Sequence, residues 1–261
     1  MPEVTSYAPG VPCWVDLMTS DPEGARAFYG ALFGWQLEVG PPETGYYTQA
    51  RVRGKPVAGL GGQPKPDELP VVWTTYLASD DVDSTVKRIL DNSGTITMAP
   101  MDVMGEGRMA IALDPTGAAF GLWQAGRHFG AALVNEPGAV CWNELGTRDL
   151  DAARRFYSAV FGYQWEDVDT GPDGPPYATF AVGGRAVGGA YRMPDQAPAD
   201  MPAYWMADFA VADADATVAK AQERGAEVLM PATDTPYGRF ASLRDPQGAA
   251  FSVIRQTPQS S

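Results

Sequence analysis

Apolar and polar residues alternate along Cys13-Trp-Val-Asp-Leu-Met-Thr19, which predicts a strand. The next residues, Ser20, Asp21, Pro22 and Glu23, carry a capping side chain, a proline for the first turn and an acid three residues after the serine. Ala25, Phe28, Tyr29 and Leu32 then recur at helical spacing, and Gly34 ends the run. Tyr46–Gly62 reads as two short strands turning at Gly54, and Val71–Ala78 alternates again. Val82–Leu90 is predicted as a helix behind the acidic turn Asp80-Asp81-Val82-Asp83, whose carboxylates suit the positive end of its dipole. Arg108–Asp114 and Ala119–Gln124 form a final hairpin around Pro115-Thr116-Gly117.

The whole pattern then repeats. Cys13–Gln36 aligns without a gap on Cys141–Gln164, keeping Cys, Trp, Leu17/Leu145, Thr19/Thr147, Asp21/Asp149, Arg26/Arg154, Tyr29/Tyr157 and Gly34/Gly162. GRMAIALDPTGAAF at Gly107–Phe120 returns as GRFASLRDPQGAAF at Gly238–Phe251. Tyr204–Val211 is the second copy's strand and Asp213–Arg224 its helix. The expected organisation is a first domain at 8–125, a linker at 126–137, a second domain at 138–256 and a polar tail at 257–261. Each half has the apolar content to bury a core.

Composition narrows the partners. The 261 residues carry a formal net charge of -13 and contain no basic run, which opposes binding to nucleic acid or to an anionic membrane. No stretch of about 18 apolar residues offers a membrane span. The start, MPEVTSYAPGVP, lacks the basic and apolar regions of a signal peptide, so a cytoplasmic location is expected. Cys13 and Cys141 occupy equivalent places outside any CxxC motif and read as small buried hydrophobes.

With FYxxxFG near the start and DPxGxxF near the end of each copy, the chain resembles the vicinal oxygen chelate superfamily over nearly all of residues 10–256. Its tandem form is similar to actinobacterial proteins called glyoxalases or hydroxylases. The resemblance implies an α+β fold of tandem duplicated domains, each of two βαβββ units whose curved mixed sheet encloses a pocket. Glyoxalase I, extradiol dioxygenases, fosfomycin-resistance enzymes and bleomycin-binding proteins share that fold, so it does not fix a reaction.

Superfamily enzymes usually hold a divalent metal with His, Glu or Gln. The resemblance places those ligand positions on Trp14, Thr74 and Gly121 in the first half and on Trp142, Met206 and Ser252 in the second. None is an ordinary divalent ligand beyond a weak hydroxyl. The single histidine, His128, falls in the polar linker, where an exposed side chain is expected. The chain therefore calls for no metal and no cofactor.

Residues two apart on a strand share a face. Asp16 then joins Trp14 in the first pocket and Glu144 joins Trp142 in the second. By the same parity Thr74 and Tyr76 face the first pocket, and Met206 and Asp208 the second. Trp73 and Trp205 fall on the opposite, helix-packed face. A carboxylate beside an indole is poorly solvated and titrates nearer neutrality, where it can move a proton. Asp16, Glu144, Asp208 and Tyr76 are thus catalytic candidates, and Trp14, Trp142, Thr74, Met206, Gly121 and Ser252 candidate substrate contacts. Structural roles compete: Asp16 and Glu144 can instead pair with Arg26, Arg108, Arg154 or Arg239.

Three functions follow. The first is a metal-independent acid–base enzyme of lyase, dehydratase, isomerase or cyclase type, acting on a hydrophobic, aromatic or polyketide-like metabolite. The second is a binding or self-resistance protein that sequesters such a molecule. The third is a metal-dependent glyoxalase- or dioxygenase-type enzyme with atypical ligands. The partner is a small molecule in each case, and the chain is expected to be a monomer or a homodimer.

Overall fold

A computed structural model describes residues 3–65, 69–171 and 174–257. The first half runs β1 (Pro12–Thr19), α1 (Pro22–Phe33), β2 (Gln36–Val39), β3 (Thr48–Val52), β4 (Lys55–Gly62), β5 (Val72–Ala78), α2 (Val82–Asp91), β6 (Thr95–Asp102), β7 (Gly107–Leu113) and β8 (Ala119–Ala125). The second half repeats this as β9 (Val140–Thr147), α3 (Leu150–Phe161), β10 (Gln164–Val168), β11 (Tyr177–Val182), β12 (Arg185–Arg192), β13 (Tyr204–Ala210), α4 (Ala214–Glu223), β14 (Glu227–Thr235), β15 (Gly238–Arg244) and β16 (Ala250–Gln256). Each half forms one open eight-stranded mixed sheet, ordered β2-β3-β4-β1-β5-β8-β7-β6 and β10-β11-β12-β9-β13-β16-β15-β14. No helix among the described residues is long and apolar enough to cross a membrane.

The helices begin and end as their sequences dictate. Asp21, Asp81, Asp149 and Asp213 each accept a backbone N–H in the first turn, and Gly34 and Gly162 take the left-handed conformation that stops α1 and α3. The edge strands β2, β6, β10 and β14 were not legible from alternation. They are largely exposed on both faces, so no apolar periodicity marks them.

The cores differ from the expectation of one per half. Val15, Leu17, Phe28, Tyr29 and Trp73 of the first half share a cluster with Phe209, Leu243, Phe251 and Val253 of the second. Leu77, Ile89, Phe120 and Leu122 of the first half share another with Leu145, Phe156, Tyr157 and Trp205. The two sheets thus turn their helix-bearing faces toward each other, and α1 packs by α4 and α2 by α3. The duplicated FY and DPxG motifs meet across this junction. Tyr29 donates to Asp245 at 2.9 Å and accepts from Trp73 Nε1 at 2.9 Å. Tyr157 does the same with Asp114 at 3.1 Å and Trp205 at 2.9 Å. The other oxygen of each aspartate caps its own turn, taking N–H groups from Gln247 and Ala249 or from Thr116 and Ala118.

The segment at 126–137 is more than a spacer. Ala131 N–H bonds to Cys13 O at 2.8 Å, and Leu133 is fully buried. His128 is accordingly not exposed, correcting the sequence expectation. It is half-buried, with its ring edge-on to Trp14 at 4.5 Å between centroids. Burial lowers its pKa to about 4, so it is neutral at working pH. The expected polar tail lies, from residue 258 on, outside the described residues.

Candidate functional site

Pairing register assigns each side chain to a face. Trp14, Asp16 and Met18 on β1 stand opposite Tyr76, Thr74 and Val72 on β5, on the face turned away from the helices. Trp142, Glu144 and Gly146 on β9 stand likewise opposite Asp208, Met206 and Tyr204 on β13. Gly121 lies beside Tyr76, and Ser252 beside Asp208. All ten sequence candidates therefore fall on the two sheet faces turned away from the helices, while Trp73 and Trp205 sit in the shared cores.

In the first pocket Asp16 is 6% exposed. Its Oδ2 accepts from Tyr47 at 3.2 Å and from Tyr76 at 3.3 Å, while Oδ1 is buried with no partner. Desolvation raises its pKa to about 7, against the opposing pull of those two hydroxyls. Trp14 Nε1 donates to Tyr47 at 3.0 Å, and the indole is otherwise walled in by His128 and the linker. The Tyr76 ring lies over Gly121, where any Cβ would overlap it. Trp14 and Gly121 are thus behind the pocket surface more than on it.

The second pocket is built on the same plan and is more open. Glu144, Trp142 and Met206 all keep part of their surface in solvent. Tyr177 donates to Glu144 Oε1 at 2.7 Å and accepts from Trp142 Nε1 at 2.9 Å. Asp208 is buried with Oδ1 unpartnered. Burial and the neighbouring Glu144 carboxylate hold its pKa well above the usual carboxylate range, and burial raises Glu144 as well. The Ser252 hydroxyl, beside Asp208, opposes its rise. Ser242, beside Ser252 on the next strand, shares a 3.0 Å hydrogen bond with it. Tyr191 and Tyr204, hydrogen-bonded to each other, complete the wall over Gly146. Two interacting carboxyl groups of this kind titrate as a pair.

The arginines considered as structural partners are engaged elsewhere. Arg26 pairs with Glu23, Arg108 with Asp83, Arg154 with Asp167, and Arg239 with Asp215 and Asp234. The cysteines are free and buried, each donating to a carbonyl of β5 or β13.

Sequence reading missed Tyr47 and Tyr177, the donors to the two acids. A signal existed: they stand at aligned positions, Tyr47 just before β3 and Tyr177 at the start of β11, ahead of Gly59 and Gly189. Those glycines are required. Each lies beside its acid, and a Cβ on either would fall on the tyrosine oxygen. Tyr191, Tyr204 and Ser242 have no polar counterpart in the first half and gave no repeat signal.

A divalent metal does not fit either pocket. The positions the resemblance assigns to ligands hold indoles, a threonine, a methionine, a glycine and a serine. Among the described residues no group of three His, Cys, Asp or Glu side chains is placed to hold an ion. Glu144 and Asp208 bring two carboxyl groups and no imidazole, a set that lacks the ligands zinc, copper, iron and nickel favour.

Similarity to known proteins agrees with the geometry. The chain is 43% identical over 99% of its length to the full length of "Putative glyoxylase CFP32" of Mycobacterium tuberculosis. It is 40% identical to "Anthracycline biosynthesis protein DnrV" of Streptomyces peucetius, over 96% of this chain and 95% of that protein. In fold it is similar to 2,2',3-trihydroxybiphenyl 1,2-dioxygenase of Sphingomonas wittichii strain RW1, with a TM-score of 0.65 at 13% identity over 95% of this chain and 91% of that one. The Mn(II)-bound glyoxalase of Novosphingobium aromaticivorans gives 0.61 at 15% identity, over 96% and 85%. The family profile matches residues 13–122 and again 133–253, one match per sheet, and the chain belongs to the Glyoxalase/Bleomycin resistance protein/Dioxygenase superfamily.

Proposed function

We propose that the second pocket is a metal-independent acid–base site acting on a hydrophobic, polycyclic aromatic or polyketide-like metabolite. The observation that carries this reading is the two acids Glu144 and Asp208 on one face of the sheet, set among Trp142, Tyr177, Tyr191 and Tyr204. Asp208, buried beside the Glu144 carboxylate, serves as the acid. Glu144, steadied as an anion by the Tyr177 hydroxyl, serves as the base. Glu144 takes a proton from carbon next to a substrate carbonyl while Asp208 gives its proton to the carbonyl oxygen. The enol so formed collapses with the proton at another carbon, attacks an acceptor to close a ring, or expels a neighbouring hydroxyl as water. No electron is gained or lost overall, so no redox partner is called for. The aromatic walls suit a flat conjugated substrate, and the relatives named for anthracycline biosynthesis support that class.

Glu144→Gln tests the reading. With polycyclic polyketide ketones as substrates, the variant is expected to lose about 100-fold or more in turnover and to keep its affinity within about threefold. Wild-type protein that captures such compounds stoichiometrically and releases no product is a binding protein instead. Protein offered zinc, nickel, manganese and ferrous iron is expected to retain none after desalting. One ion per half would overturn the metal-independent chemistry.

A further inference from the structure

The two sheets present equivalent outer faces, and the chain treats them differently. On the first, Trp14, Tyr76, Ala78 and Trp123 form a buried cluster, with Met109 and Ile111 of β7 packed against it. Register puts these side chains on the face that carries Asp16. Tyr7 of the N-terminal segment, and Ala131 and Val134 of the segment between the halves, pack into the cluster from outside the strands. In the second half the equivalent cluster is Cys141, Ala210, Ile254 and Phe240, and among the described residues every member lies on a strand. Trp14 and Trp123 are accordingly 5% and 7% exposed, while Trp142 keeps part of its surface open.

Hydrogen bonds fix the covering segment to the sheet. Trp123 Nε1 donates to His128 O at 2.8 Å, Ala131 N to Cys13 O at 2.8 Å, and Ala132 N to Pro56 O at 2.8 Å. The His128 ring stands edge-on to both Trp14 and Trp123, at 4.5 and 5.6 Å between centroids. The N-terminal segment is tied to it in turn: Val4 N donates to Ala132 O at 3.1 Å, and Tyr7 OH to Ala131 O at 2.7 Å. Gly130, at a φ of +118°, runs so close to β1 that a Cβ would lie 2.3 Å from Cys13 O. Main-chain pairing and buried apolar side chains of this kind mark a segment that opens rarely. We propose that residues 128–134 are the built-in occupant of the first pocket. They lie where a small molecule would otherwise reach Trp14 and Trp123, and the N-terminal segment holds them there. The duplicated chain is thus a one-site protein, open at Trp142 and Glu144 and closed over Trp14 by its own linker. The inference goes beyond the function proposed for the second pocket and holds whether or not that pocket reacts.

Acrylamide, a small neutral quencher of indole fluorescence, reads which face is open in the full chain. Trp142→Phe is expected to lower the quenching slope, because it removes an open indole, and Trp14→Phe is expected not to lower it. Gly130→Ala drives a methyl onto Cys13 O without altering a side chain of the pocket, and should lift the segment. Its expected signature is a slope about twofold steeper, reversed when Trp14→Phe is added. Amide hydrogen exchange at Ala131 and Ala132 should be at least tenfold faster, and exchange at Leu17 in the core unchanged. Tyr7→Phe keeps the ring and removes one hydrogen bond, so it serves where Gly130→Ala does not fold. It should speed exchange at the same two amides about fivefold. Trp14 quenched as readily as Trp142 in the wild type overturns the proposal. So does wild-type exchange at Ala131 and Ala132 as fast as in an unfolded chain. A Gly130→Ala protein whose two amides exchange faster while Trp14 stays shielded also overturns it, because the segment is then not what closes the pocket.

Discussion

Asp16 makes a prediction at the scale of one residue. Its folded pKa of about 7 lies above the ordinary 3.8 because burial penalises the anion. The protonated form is the one the fold accommodates. Its contribution to stability is therefore complete below about pH 4 and is lost as pH rises through 7, a change on the order of 4 kcal/mol. Asp16→Asn cannot ionise. Chemical denaturation of both proteins between pH 5 and 8 should show the variant gaining on the wild type as pH rises. A constant difference would mean that Asp16 is hydrated enough to ionise normally. Ser252→Ala makes the complementary prediction in the other pocket. Without that hydroxyl Asp208 should rise further, and carboxyl infrared bands should show it protonated to higher pH. Parity alone placed the acids, because strand alternation has a period of two. It could not place Tyr47 or Tyr177, whose side chains reach the acids from the neighbouring hairpin across a glycine.

Among elements, the recurring FY and DPxG motifs act as a clasp between a helix of one half and a hairpin of the other. Each tyrosine hydroxyl donates to an aspartate and accepts from an indole, with all three side chains buried. Tyr29→Phe leaves Asp245 Oδ2 and Trp73 Nε1 without those partners, a cost of about 1–3 kcal/mol. Tyr157→Phe should cost a similar amount at Asp114 and Trp205. The two clasps belong to different cores, so the double variant is expected to lose the sum within about 0.5 kcal/mol. Urea denaturation of the three proteins checks this, and a marked shortfall would show that the clasps are coupled. Both motifs were plain in the sequence as repeats. Their pairing was not, since a repeat says that two segments are alike and is silent on which copy each one touches. The edge strands escaped for another reason: β6 and β14 bury so little that water leaves no periodic mark on them.

At the scale of the molecule, the shared cores decide what the duplication is for. Leu17, Tyr29 and Trp73 bury their apolar surface against Phe209 and Phe251 of the other half, and Trp205 and Tyr157 against Phe120. A half on its own would leave its helix-bearing sheet face facing water over several aromatic side chains, each worth roughly 1.5–3 kcal/mol when buried. That loss is comparable to the whole stability of a domain of this size. Residues 1–137 and 138–261 produced separately are thus expected to be loosely packed or self-associated, without a sharp thermal transition as monomers. Mixed, they should form a one-to-one complex that melts cooperatively, which size-exclusion chromatography and circular dichroism would register. Because the halves are alike, self-association of either one by the same face is the natural alternative to pairing with its complement. A half that folds as a stable monomer would show that the junction is a contact between finished domains. The pockets lie on the outer faces of the two sheets, so it would also free each to evolve alone. If the halves instead need each other, fusion within one chain is what holds the junction together while the two faces diverge, Tyr76 standing on one where Asp208 stands on the other.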